Sequence, residues 1–92
     1  MEACAKQMSE LLKTLANENR LIILGALMKG PTNVSDIAKW VPDISKPALS
    51  QHLSILKAHG ILDSQKVGMN TRYSIADKRV LEIIDVLKRC YY

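Results

Sequence analysis

The sequence lacks phenylalanine and has one tryptophan and three tyrosines. A core built on stacked rings is excluded, and the abundant leucine and isoleucine point to an aliphatic, helical core. Cysteine is nearly absent. Cys4 and Cys90 lie near opposite ends, so there is no disulfide framework. No apolar run approaches the ~18–20 residues that span a bilayer. The N-terminal stretch MEACAKQMSELLKTLA carries acids and no unbroken apolar run, unlike a signal peptide. The expected compartment is the cytoplasm. No Ser-His-Asp arrangement, phosphate-binding glycine loop or metal dyad is present, and no enzyme is expected. Internal repeats, low-complexity tracts and linkers are also missing. The most telling absence is local: no acidic residue interrupts the chain between Asp43 and Asp63.

The 92 residues suffice for one domain. So short a chain buries a modest core, and oligomerisation is a common remedy. The net charge of +4 permits a polyanionic partner without demanding one. Met8, Leu11, Leu12 and Leu15 recur at helical spacing in a first helix over about residues 2–15. Asn17 can cap a second helix, Glu18 to Met28, whose LIILGALM run is apolar almost all round and should be central; Gly30-Pro31 stops it. Ser35 can cap a short third helix with Ile37, Ala38 and Val41 facing inward, before a turn at Pro42-Asp43. Ser45 caps a fourth, in which Pro47 is tolerated in the first turn, and Gly60 suits the left-handed position that ends it.

The period then changes. Leu62–Lys66 and Thr71–Ile75 read as strands, with Gly68 and Asn70 turning a hairpin between them. Val80, Ile83, Ile84, Leu87 and Cys90 return to helical spacing over about residues 78–91. The expected fold is mainly α with a β-hairpin wing, a winged helix-turn-helix in one domain over residues 1–92. Its helix-turn-helix covers about 35–59 and its wing about 62–75.

Lys46, Pro47, Ser50, Gln51 and Ser54 share one face of the fourth helix, opposite Leu49, Leu53 and Leu56. Small and polar side chains suit a helix lying in a major groove, where Gln51 can pair bidentately with adenine and Lys46 can reach guanine or a phosphate. The competing explanation is an ordinary solvated face. His52 borders the apolar stripe and reads as structural first, a phosphate contact second. In the wing, Lys66, Asn70 and Arg72 are expected to point away from the face of Tyr73 and Ile75, toward a phosphate or the adjacent minor groove, although plain hairpin charges would look alike. Lys57 is expected to help on the backbone.

The ordered set LKTLANENRLIILGAL, VSDIAKW, LSQHLSILKAHGIL and VGMNTRYSI resembles the ArsR/SmtB family of transcriptional repressors. Its most specific piece is Ser50-Gln51-His52-Leu53, then Leu56-Lys57 and Gly60-Ile61-Leu62. The resemblance implies a homodimeric winged-helix regulator that binds double-stranded DNA, with an effector that alters its affinity. It places DNA contacts on Lys46, Pro47, Ser50 and Gln51, and makes the first and last helices the dimer interface, here Met8, Leu11, Leu12, Leu15, Ile83, Ile84 and Leu87, within and between subunits. The target of such a dimer is an imperfect palindrome. The alternative is a winged helix used for protein or RNA contact. One departure is Pro42-Asp43, where the family usually has a glycine in a turn one residue shorter.

Many relatives of this kind bind metal. A thiolate site on the third helix would fall in NVSDIAKW, which has no cysteine, and an Asp-x-His site on the last helix reads Asp77-Lys78-Arg79 here, with no later histidine. His52 and His59 lack a third partner. No metal and no cofactor are expected. Cys4 and Cys90 lie on the apolar stripes of the two terminal helices. They are either small buried hydrophobes or, if those helices pack antiparallel, a redox pair able to weaken DNA binding. The pattern of related redox sensors, with a cysteine in the second helix, does not carry over, because Gly25 stands near that position.

Overall fold

A computed structural model describes residues 1–92. After a 3₁₀ turn at Glu2–Cys4 come α1 (Ala5–Leu15) and α2 (Glu18–Ala26), which runs on into a second 3₁₀ turn at Leu27–Lys29. A two-residue strand β1 (Thr32–Asn33) leads into α3 (Val34–Ala38). Then follow α4 (Lys46–Ala58), β2 (Leu62–Val67), β3 (Asn70–Ile75) and α5 (Lys78–Tyr91).

The caps explain where these helices start. The Asn17 side chain accepts the Arg20 N–H at 3.1 Å, and the Ser45 hydroxyl accepts the Ala48 N–H at 3.2 Å. Each satisfies one donor that the first turn of a helix cannot use internally. Pro47 sits in the first turn of α4, where no donor is lost. The expected cap at Ser35 is not formed. The helix begins one residue earlier, at Val34, and Asn33 holds the cap position without a side-chain bond. Asn33 is instead paired in β1, opposite Arg72.

The end of α4 is set by Gly60, at φ +73°. Its N–H donates to the Lys57 carbonyl at 3.0 Å, and the Ile61 N–H reaches back to the Leu56 carbonyl at 3.0 Å. This is the paired bond set of a left-handed helix stop. It also folds Ile61 onto Leu56, both fully buried. The turn before α4 closes with the Ile44 N–H on the Val41 carbonyl, with Pro42 and Asp43 at its centre. Val41 is buried and Ile44 packs on the core, so the extra residue of this turn is anchored at both ends.

The wing is a sheet of three strands rather than a bare hairpin. Its order is β1-β3-β2, antiparallel throughout. The register pairs Leu62 with Ile75, Ser64 with Tyr73 and Lys66 with Thr71. Directly paired residues share a face. Lys66 therefore lies on the side of Tyr73 and Ile75, while Asn70 and Arg72 lie on the other. The expectation that all three point away from Tyr73 is corrected for Lys66.

The core is aliphatic throughout. Ile23, Leu24, Leu27, Ile37, Leu49, Leu53, Leu56, Ile61, Leu62, Val80 and Ile84 are among its buried members. The second helix is less enclosed than its composition suggests. Leu21 and Ile22 are each about a third exposed, while their neighbours Ile23 and Leu24 are fully buried. No helix is long and apolar enough to cross a membrane.

Candidate nucleic-acid interface

The interface is assembled on α4. Leu49, Leu53 and Leu56 turn inward and are buried. Lys46, Pro47, Ser50, Gln51 and Ser54 are all exposed. None of these five meets a side-chain partner in the chain, so their donors and acceptors are available to a ligand. The helix starts with Ser45 as cap and Lys46 and Pro47 in its first turn, with no acid there. A helix N-terminus carries a partial positive charge, and the missing acid leaves it uncompensated.

The wing is fastened to this helix. Lys57 Nζ donates to Ser64 Oγ at 2.6 Å, which joins the last turn of α4 to β2. Lys57 thus braces the wing and keeps its remaining donors outward. Arg72 is exposed as expected but is not a free side chain. Its Nη2 donates to the Pro31 carbonyl at 2.9 Å, so it ties β3 to the loop before β1. Lys66 and Asn70 are exposed at the outer end of the wing.

His52 has the structural environment its position suggested. It is half-buried, and its Nδ1 accepts from Arg20 Nε at 3.3 Å. That bond needs a lone pair on Nδ1, so the ring proton sits on Nε2. Burial, and then the Arg20 charge, lower its pKa and keep the ring neutral near pH 7. Arg20 itself went unnoticed in the sequence. Its Nη1 also donates to the Thr14 carbonyl at 3.0 Å. One guanidinium therefore links the end of α1, the start of α2 and the middle of α4. Arg20 and His52 are 32 positions apart, and no local pattern could have paired them.

The terminal helices divide their apolar residues between two uses. Leu15 and Ile84 are buried in the chain's own core. Leu11 and Ile83 are half-buried against that core. Met8 is half-buried, while Leu12 is 54% and Leu87 39% exposed. Met8 and Leu12 line an open groove of about 410 Å³ along α1, with Met1, Ala5, Ser9 and Ala16. Cys4 and Cys90 are both free and exposed.

The position that would hold a metal on the last helix is otherwise employed. Asp77 caps α5 by accepting the Arg79 N–H at 2.9 Å, and its carboxylate takes the Arg79 guanidinium at 2.6 and 3.0 Å. The hydrogen bonds from Arg79 hold the Asp77 carboxyl below the usual range. No three His, Cys, Asp or Glu side chains gather in the fold.

Residues 17–64 match the family described as bacterial regulatory protein, arsR family. The chain is 35% identical to the HTH-type transcriptional regulator YgaV of Escherichia coli over 91 residues, 99% of this chain and 92% of that protein. It is 33% identical to the transcriptional activator HlyU of Vibrio cholerae, again over 99% of this chain and 83% of that protein. The solved structure of reduced HlyU from that organism superposes with a TM-score of 0.92, covering 99% of this chain and 95% of the other at 33% identity. The transcriptional repressor BigR from Xylella fastidiosa superposes equally well, at 0.92, with 26% identity over 100% of this chain and 93% of the other.

Proposed function

The chain belongs to the ArsR family of bacterial regulatory proteins, and from that premise we propose that it acts as a homodimeric repressor of the cytoplasm that binds an imperfect palindromic operator. The family is one of DNA-binding transcriptional regulators and not of enzymes. The observation that carries the reading is the acid-free outer face of α4. Its apolar stripe is consumed by the core, and its exposed side holds only small, polar and cationic side chains.

In this reading Lys46, Ser50 and Gln51 read base edges in the major groove, with Pro47 and Ser54 allowing close approach. Lys57, Lys66, Asn70 and Arg72 hold the sugar-phosphate backbone on either side. Two chains join through the exposed apolar parts of α1 and α5, chiefly Met8, Leu12 and Leu87. A two-fold dimer then presents its α4 pair to half-sites one helical turn apart, about 34–36 Å. The alternative of a protein-binding face is disfavoured by the absence of acids on this surface, and duplex RNA is disfavoured because its deep, narrow major groove does not admit side chains from a helix such as α4.

Two substitutions separate the roles. Gln51→Ala should lose discrimination at one base position, ~1–3 kcal/mol, while binding to random duplex is kept. Arg72→Ala should weaken all sequences alike and flatten the dependence of affinity on salt by about one unit of slope. Affinities measured on selected and random duplexes across a salt series decide it. Equal losses for both variants on both duplexes would overturn the assignment.

A further inference from the structure

The tip of the wing is apolar, and nothing in the chain covers it. Met69 is 97% exposed and Val67 49%. The strands close at the Val67–Asn70 pair, so the turn has two residues, Gly68 and Met69. Gly68 takes φ +62°, and no residue other than glycine in the chain has positive φ. That combination fits a two-residue turn with glycine first. The second position of such a turn favours short polar residues, and methionine contributes nothing to the turn itself. A long thioether chain thus stands in water at the tip of the hairpin and takes no part in the fold.

The surroundings select the ligand. No acid occurs from Ser64 to Ala76, and the exposed Lys66, Asn70 and Arg72 flank the tip. The Lys57–Ser64 bond fixes the wing to α4. A duplex that receives α4 in one major groove would then present its neighbouring minor groove on the side of the wing. That groove is about 6 Å wide, too narrow for a helix and wide enough for one side chain at a turn. Minor-groove proteins use this type of residue, methionine included, as a wedge between base steps.

We infer that Met69, backed by Val67, enters the minor groove beside each half-site and partly unstacks one base step there, so that the chain prefers deformable flanking sequence that it does not read by hydrogen bonds. This rests on the DNA-binding reading above and adds a second source of specificity to it. The side chain meets no other part of the protein, so its replacement leaves the fold intact. A pyrimidine–purine step such as TA yields easily, and an A-tract resists.

The test uses the full chain and duplexes enriched by it from a random pool. The minor-groove step at each outer edge of the protected region is then made TA or part of an A-tract. The wild-type chain should bind the TA form tighter, on the order of tenfold, and 2-aminopurine at that step should brighten on binding. Met69→Ala should make the two flanks nearly equal and abolish the brightening, while the choice of central bases persists. Met69→Lys should tighten binding to both flanks alike. A wild-type chain that selects its central bases yet treats both flanks equally, or a Met69→Ala variant that keeps the preference, overturns the wedge and leaves the reading of α4 standing. Failure to enrich any duplex removes both.

Discussion

The fourth helix and the two terminal helices are each amphipathic, yet they resolve that character differently. In α4 the apolar stripe is fully consumed: Leu49, Leu53 and Leu56 are at most 3% exposed. What remains outside is free to be shaped by a partner's chemistry, and it is acid-free. In α1 and α5 the stripe is consumed only in part. Leu15, Val80 and Ile84 reach the core, while Leu12, Val86 and Leu87 stay exposed. Helices that meet the same solvent thus advertise different partners, a polyanion for one and another apolar surface for the others. The lesson lies in what each helix has left over after its own core is satisfied.

Substitutions at the two kinds of leucine should therefore break different things. Leu56 is fully buried and forms half of the apolar contact that locks the end of α4. Leu56→Ala should destabilise the folded chain by about 2–5 kcal/mol, read as a lower urea midpoint at unchanged slope. Leu12→Glu should leave the isolated fold intact and weaken self-association, by roughly 2 kcal/mol or more if the residue anchors the contact. Sedimentation equilibrium against far-UV circular dichroism separates the two outcomes. A Leu12→Glu chain that associates as strongly as the parent would erase the distinction drawn between α4 and the terminal helices.

That contrast was largely legible in the sequence, because periodicity and caps are local. Asn17 and Ser45 both cap the helices they precede, and Gly60 stops α4 in the left-handed region. What escaped was non-local. The strand β1 has only two residues, and its partner β3 lies some forty positions on, so no alternation exists to reveal it. Lys66 falls on the Tyr73 face because it pairs with Thr71, a register between two strands that neither strand's own sequence reveals. Composition misled at α2, where Leu21 and Ile22 suggested complete enclosure. The candidate contacts from Lys46 to Arg72 are all exposed. Periodicity could not foretell that Lys57 and Arg72 each hold a bond inside the chain.

The smallest expected effect lies where the compared regions touch, at Arg20 and His52. Arg20 bonds the end of α1 through the Thr14 carbonyl and the middle of α4 through His52. The bond to His52 needs a neutral ring, and burial with the Arg20 charge lowers its pKa. Between that lowered pKa and the unfolded value near 6.5, the unfolded chain binds more protons than the folded one. The contribution to stability is thus present above about pH 6.5 and fades as pH falls through the folded pKa. Urea titrations at descending pH should show the parent losing stability over that window. His52→Gln, which keeps an acceptor but has no proton to gain, should flatten the slope there. If both chains lose stability in parallel, the histidine is not where α4 feels the acid.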